Sequence, residues 1–230
     1  MATILNIETS TNVCSTALTA DGMVVCHRDD SSGQNHASLL SGFIKACLDH
    51  AAEHEMKIDA VAVSMGPGSY TGLRIGLSEA KGLAFALGVP LIGVDTLELL
   101  AVDVMFHLDV PDDVIFVPMI DARRMEVFTG AFDMALQPLM KEQPLILDGD
   151  SYADLLATGR EVWFIGNGAG KAMQVIKAAN ARFVGDVVPL ASNMMALADR
   201  AYMRRDFLDL AYSTPNYLKE FQATQPKSRL

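Results

Sequence analysis

The chain has 230 residues, half of them hydrophobic, and can bury a sizeable core in one large or two small domains. Its formal net charge of −10 argues against tight binding to nucleic acid by the chain alone, because such binders usually carry a basic excess or patch. Three cysteines without a CxxC spacing, and the lack of any run of roughly 18 apolar residues, predict a cytoplasmic protein with reduced thiols and no membrane span.

The first hundred residues alternate between strand and helix patterns. Strands are predicted at residues 3–8, 13–19, 23–28, 58–64 and 90–96, and helices at His36–Glu53, from about Leu73 to Leu87, and at residues 97–106. A hairpin followed by βα units predicts a mixed sheet with helices on its faces.

The polar, proline-bearing segment at residues 107–114 predicts a boundary between two lobes, residues 1–106 and 107–230. Beyond it, VIFVPMID and MEVFTGAFD predict an antiparallel pair of strands. A short helix at 152–159, a strand at 161–166, a helix at 169–179 and a longer helix at 191–207 complete the predicted second lobe.

The stretch SMGPGSYTGLRIGL, residues 64–77, has the glycine content of a phosphate-binding loop but not its spacing. Gly72 is followed by Leu73 and Arg74, where a Walker A loop needs Lys and then Ser or Thr, and the GxGxxG pattern is also missed. The residues favour a tight strand-to-helix turn capped by Ser69 or Thr71.

Small residues recur every four positions in the helix that follows, at Gly72, Gly76, Ala80 and Ala84. Glycine inside a helix costs roughly 1 kcal/mol relative to alanine, so such a stripe predicts the close approach of another backbone. That backbone is either a partner's or the chain's own sheet. For the partner alternative, we expect the helix near His36 to pack beside a dimer interface of Gly72, Leu73, Gly76, Ala80, Leu83 and Ala84.

Two turns are candidates for nucleotide binding. Glu8-Thr9-Ser10-Thr11 follows the first strand and offers a carboxylate and hydroxyls, although the sequence slightly favours a plain polar β-turn. Gly166 and Gly168, in FIGNGAGKAM, resemble a nucleotide-binding turn but miss the last glycine of GxGxxG.

Metal ligands are sparse. His36 has Leu40, not a second histidine, four residues on, so we expect no metal site. Asp121-Ala122-Arg123, between two strands, is read either as a site or, in preference, as a turn ion pair.

Three stretches carry a family resemblance: ILNIETSTNVCSTAL, DAVAVSMGPGSYTGLRIGLSEAKGLAFALGVPLIGVDTLELLA and the C-terminal PNYLKE. They closely resemble the TsaB (YeaZ) family, whereas residues 110–210 match it only in outline. The resemblance implies a two-lobed actin-like ATPase (ribonuclease H-like) α/β fold, with mixed sheets flanked by helices.

The same resemblance implies a non-catalytic paralogue of TsaD, the subunit that carries the metal site. Such a subunit dimerises with TsaD and acts with the small ATPase TsaE to make threonylcarbamoyladenosine in tRNA. The resemblance further implies that the chain forms a homodimer when alone and binds no cofactor tightly. ATP would be used, and tRNA bound, only by the complex. Two alternatives remain open: a small-molecule kinase or ATPase using Glu8 and the turn at 166–170, and a metalloprotease, for which ligands are lacking.

Overall fold

The computed structural model describes residues 2–33 and 35–219 and contains two five-stranded sheets. The strands of the first sheet are β1 (Ile4–Glu8), β2 (Cys14–Ala20), β3 (Met23–Asp30), β4 (Ala60–Gly66) and β5 (Leu91–Asp95). Their order is β3-β2-β1-β4-β5, with β1 antiparallel to β2 and parallel to β4. The mixed sheet predicted from the sequence is therefore confirmed.

Three helices accompany this sheet: α1 (His36–Glu53), α2 (Tyr70–Leu87) and α3 (Thr96–His107). Helices α1 and α2 cover one face, where Leu40 and Leu77 pack against Leu5 and Ile7. Helix α2 begins three residues before the predicted start because the hydroxyl of Ser69 accepts a hydrogen bond from the backbone N–H of Gly72.

The second sheet is built from β6 (Ile115–Asp121), β7 (Glu126–Phe132), β8 (Pro138–Ile146), β9 (Val162–Ile165) and β10 (Ala181–Val184). Its order is β10-β9-β6-β7-β8, and the predicted antiparallel pair of β6 and β7 is confirmed. Strands β8 and β10 were not predicted. Both lie at sheet edges. Strand β8 contains two prolines and the polar run Lys141, Glu142 and Gln143 and has no fully buried residue, and β10 has only four residues, so neither has the apolar pattern of an internal strand.

The helices of the second half are shorter than expected. They are α4 (Ala153–Leu156), α5 (Ala169–Val175) and α6 (Met195–Arg204). Residues Ala191–Met194 form a turn of 3₁₀ helix before α6, so the single helix predicted at 191–207 is divided. Within the described ranges, no helix combines the length and apolarity needed to cross a bilayer.

Helix α3 lies between the two sheets. Leu99 and Val102 pack with Ile92 of the first sheet, whereas Leu97 and Leu100 pack in a cluster with Phe116 and Trp163 of the second. Because apolar residues lie on both sides that face a sheet, while Glu98 and Asp103 stay partly exposed, this helix joins the two halves of the molecule.

The chain returns to the first sheet after completing the second. Leu197 of α6 packs against Ile4 and Ile92 on the face opposite α1 and α2, and Leu208 N–H donates to the carbonyl of Leu91 at 2.8 Å. The prediction placed all of residues 107–230 in a second lobe, whereas Leu197 and Leu208 contact the first sheet.

Candidate functional site

The glycine-rich turn after β4 packs against the turn between β1 and β2. A Cβ atom added at Gly68 would collide with the carbonyl oxygen of Ser10, and one added at Gly72 with the carbonyl oxygen of Thr9. At Gly76 it would collide with the hydroxyl of Thr9. Gly68 and Gly72 are therefore required by the close approach of the chain's own backbone, and Gly76 by the side chain of Thr9, so packing explains all three without a phosphate.

Hydrogen bonds seal the contact between the two turns. The N–H of Ser69 donates to the carbonyl of Ser10 at 2.6 Å, and the Thr9 hydroxyl donates to the carbonyl of Gly72 at 2.9 Å. The four residues predicted to contact a nucleotide from this turn are all buried: Glu8, Thr9, Ser10 and Thr11. Packing against the glycine-rich turn explains these four residues without a ligand, and their contact with a nucleotide stays a prediction.

Glu8 is a fully buried carboxyl group. Its Oε1 accepts a hydrogen bond from the N–H of Ser10 at 2.5 Å, whereas its Oε2 has no hydrogen-bond partner among the described residues. Burial raises the pKa of Glu8 to about 7, and the hydrogen bonds from Ser10 oppose the rise only in part. A substantial share of Glu8 is therefore protonated near neutral pH.

Gly166 and Gly168 also have a packing role. Gly166 has a φ of +99°, and a Cβ there would lie 2.6 Å from the carbonyl oxygen of Met119. A Cβ at Gly168 would meet Met119 and Val127 at 2.8 and 2.9 Å. These two glycines fasten the β9–α5 turn to β6, whereas Glu8 to Thr11 pack beneath α2. Each of the two turns predicted to bind a nucleotide thus has a packing role of its own, one in the first sheet and one in the second.

The stripe of small residues on α2 faces inward. Five of the six residues predicted for the interface are buried in this chain: Gly72, Leu73, Gly76, Ala80 and Ala84. Ala80 and Ala84 belong to the core between α2 and the first sheet, so of the two predicted alternatives the intramolecular one is correct. Only Leu83 is partly exposed. An arginine at Ala80 would therefore test core packing and not association.

The outer faces of α1 and α2 form an open groove of about 680 Å³. The groove is lined by Ala37, Ile44, Arg74, Ile75, Ser78, Glu79, Gly82 and Leu83. At its edge the Ser41 hydroxyl donates to Glu79 at 3.0 Å. No atom lies within 4 Å of a Cβ placed on Gly82, so this glycine is not required by packing inside the chain.

Most of these groove residues were not among the predicted interface residues. Ile75, Ser78 and Gly82 do not lie on the four-residue stripe that drew attention to Gly72 and Ala80. Gly82 was the one residue whose type could have indicated the groove. A glycine in the middle of a helix lowers its stability, and at Gly82 no packing within the chain requires the missing side chain.

Residues 215–219, called here the C-terminal strap, connect the two sheets. The N–H of Asn216 donates to the carbonyl of the penultimate residue of β4 at 2.7 Å, and its side-chain amide donates to Glu142 of β8 at 3.0 Å. Lys219 forms an ion pair with Glu126 of β7 at 2.8 Å. The strap therefore ties the glycine-rich turn to the edge of the second sheet.

The histidine considered for metal binding is engaged elsewhere. Nε2 of the buried His36 donates to the carbonyl of Val13 at 3.2 Å, and Leu40 lies in the core. In the part of the chain that the structure describes, no three side chains of His, Cys, Asp or Glu gather as metal ligands would.

Comparison with known proteins identifies the family. The family model of TsaD, tRNA N6-adenosine threonylcarbamoyltransferase, matches residues 30–226. The tRNA threonylcarbamoyladenosine biosynthesis protein TsaB of Bacillus subtilis is 30% identical over 178 residues, which cover 76% of this chain and 75% of that protein. The chain belongs to the TsaB (YeaZ) family.

Further relatives agree with this assignment. TsaB of Haemophilus influenzae is 35% identical over 126 residues, which cover 55% of this chain and 52% of that protein. The solved structure of YeaZ from Pseudomonas aeruginosa superposes with a TM-score of 0.81 at 27% identity, covering 95% of this chain and all of that one. The two sheets and their helices thus form the actin-like, ribonuclease H-like α/β fold expected of a TsaB protein.

Proposed function

We propose that this TsaB-family chain is a non-catalytic subunit that pairs with a TsaD-type transferase in forming threonylcarbamoyladenosine in tRNA. The observation that carries the proposal is the open groove between α1 and α2 on a chain whose sequence also matches the TsaD family model. Two chains of related fold present equivalent faces, so a paralogue can replace one half of a two-fold pair. The same face would join two copies of this chain when it is alone.

The chemistry of the groove suits a helical partner. Ile75 and Leu83 supply partly exposed apolar surface above the buried Ile44, and Gly82 and Ser78 leave room for a second helix to approach. Close approach at small residues is a general way for helices to pair. We therefore still propose a partner interface on α2, but on its outer face and not on the stripe of small residues that faces the core.

A non-catalytic role is supported by the sealed turn at Glu8. A kinase or ATPase acting through this turn would need Thr9 and Ser10 to face a phosphate, and both are covered by α2 and the glycine-rich turn. We therefore propose that the chain holds no cofactor tightly, and that ATP is used by the complex together with a TsaE-type ATPase. We place the complex in the cytoplasm and expect tRNA to be held mainly by the other subunits.

Gly82→Arg tests the pairing surface. The side chain would enter open space in the groove, and arginine favours a helix over glycine by roughly 1 kcal/mol, so the isolated chain should stay folded. Its bulk and charge should weaken binding to a TsaD-type partner by about 100-fold, because the charge would have to lose its water at the contact. Sedimentation velocity and calorimetric titration with that partner measure the effect.

Ala52→Arg is the matched control. Ala52 is also an exposed small residue on a helix, but it lies about 12 Å along α1 from Ile44 and outside the groove. This variant should bind the partner as the wild type does. Equal binding by Gly82→Arg and Ala52→Arg would show that pairing uses another surface.

A further inference from the structure

The turn between β6 and β7 carries two consecutive arginines in a left-handed backbone conformation. Arg123 has a φ of 73° and Arg124 a φ of 49°. Glycine or asparagine adopts such angles at a lower cost than arginine does. The turn would therefore have a lower conformational energy with glycine or asparagine at these two positions. Strained backbone of this kind is concentrated at functional sites.

The carboxylates beside the turn are paired with other cations. Asp121 accepts the backbone N–H of Arg123 at 2.6 Å, but its ion-pair partner is Lys171 at 2.8 Å. Glu126 pairs with Lys219 of the C-terminal strap. The ion pair expected between Asp121 and Arg123 is therefore not formed. The carboxylate of Asp121 pairs instead with Lys171 of α5.

This arrangement leaves two exposed guanidinium groups on a chain with a formal net charge of −10. Neither the Arg123 nor the Arg124 side chain forms a hydrogen bond or ion pair with another residue that the structure describes. We call Arg123, Arg124, Lys171 and Lys219 the arginine-turn surface. Asp121 and Glu126 pair with the two lysines. Asp148 also lies near the turn, since the N–H of its neighbour Leu147 donates to the carbonyl of Met125, and its carboxylate accepts the Ser151 hydroxyl. The two arginines thus remain without a direct ion-pair partner among the described residues.

The C-terminal strap connects this surface to an aromatic pair. Tyr217, two residues before Lys219, packs against Tyr70 with ring centroids 4.7 Å apart and ring planes tilted by 31°, and the guanidinium of Arg74 lies 5.3 Å from the centre of the Tyr70 ring. Arg74 also lines the groove between α1 and α2, so it connects the aromatic pair with the groove that we propose for the catalytic partner.

We propose that the arginine-turn surface binds the phosphate backbone of tRNA once the chain is paired with its TsaD-type partner. Arginines beside stacked aromatic rings are a common means of contacting RNA. The turn is an exposed hairpin end, which suits an extended polyanion better than a small nucleotide. Two free arginines on an acidic chain are too few to hold RNA alone, but on an RNA already held by the partner they add affinity at high effective concentration. This inference rests on the proposed function.

The test replaces Arg123 with asparagine and Arg124 with glycine in the complex with a TsaD-type partner. These residues accept the left-handed turn more readily than arginine, so folding should be kept or improved. We expect roughly tenfold weaker binding of unmodified tRNA in a fluorescence-anisotropy titration. The slope of log affinity against log salt should fall by about two, the number of phosphate contacts removed.

Arg204→Ala with Arg205→Ala supplies a matched control. It removes two adjacent exposed arginines, one of them also left-handed at a φ of 56°, from the end of α6. This control should bind tRNA within twofold of the wild type. An equal loss in both variants would show a general effect of charge and overturn the proposal.

Two other results would also overturn it. Unchanged tRNA binding by an intact complex of the Arg123 and Arg124 variant would contradict the RNA contact. Weaker partner binding with unchanged tRNA binding would mean that the surface contacts protein. Failure of the wild-type chain to pair at all, measured separately by sizing, would overturn the proposed function and this inference together.

Discussion

Replacing Gly72 with alanine should lower the free energy of unfolding by roughly 3 kcal/mol. The added methyl group would collide with the carbonyl oxygen of Thr9, which is a backbone atom in the turn between β1 and β2. Relief requires a shift of that turn, which carries the hydrogen bond between Ser69 and Ser10. Urea unfolding followed by circular dichroism measures the change.

Gly82→Ala in the same helix is its control. A Cβ at Gly82 has nothing within 4 Å, so only helix propensity changes. This substitution should stabilise the chain by roughly 1 kcal/mol. If both alanines stabilised it alike, the close contact between α2 and the β1–β2 turn would be refuted.

Glu8→Gln should stabilise the chain in a strongly pH-dependent way. The folded state raises the pKa of Glu8 from 4.5 to about 7, so it binds the proton more tightly than the unfolded chain does. The stability due to this proton is fully present below about pH 4.5 and is lost as the pH rises through 7. Glutamine stays neutral throughout. The variant should therefore equal the wild type at pH 4 and exceed it by roughly 3 kcal/mol at pH 8.

Paired denaturant titrations at several pH values measure this difference, in which the other titrating groups cancel. Glu53→Gln, at an exposed position near the end of α1, is the matched control for replacing a carboxyl group with an amide. A difference for Glu8→Gln that does not change with pH would mean that folding leaves the pKa of Glu8 at its unfolded value.

The elements of the first half could be predicted because each carries its own pattern. Apolar strands and the period of α1 are local signals, and Ser69 and Gly88 mark the ends of α2. The neighbour of α2 could not be predicted in the same way. Small residues at positions 72, 76, 80 and 84 show that some backbone comes close, but the same stripe serves a partner and the chain's own turn.

The long-range contacts of the site had no local signal. The C-terminal strap joins Asn216 to Glu142, 74 positions away, and Lys219 to Glu126, 93 positions away. The sequence placed PNYLKE within the family but gave no indication of what it contacts. Asp121 was similarly read against its neighbour Arg123, whereas its ion-pair partner is Lys171, 50 positions further on.

The return of α6 to the first sheet sets the order in which the chain can finish folding during synthesis. Of Ile4, Ala17 and Ile92, which Leu197 covers, the last to be made is Ile92, and it precedes Leu197 by about a hundred residues. At about 5 to 20 residues per second, the complete apolar face stays open for about 5 to 20 seconds. The nascent chain therefore exposes for that time an apolar surface that the finished protein covers, and the N-terminal half completes its fold last.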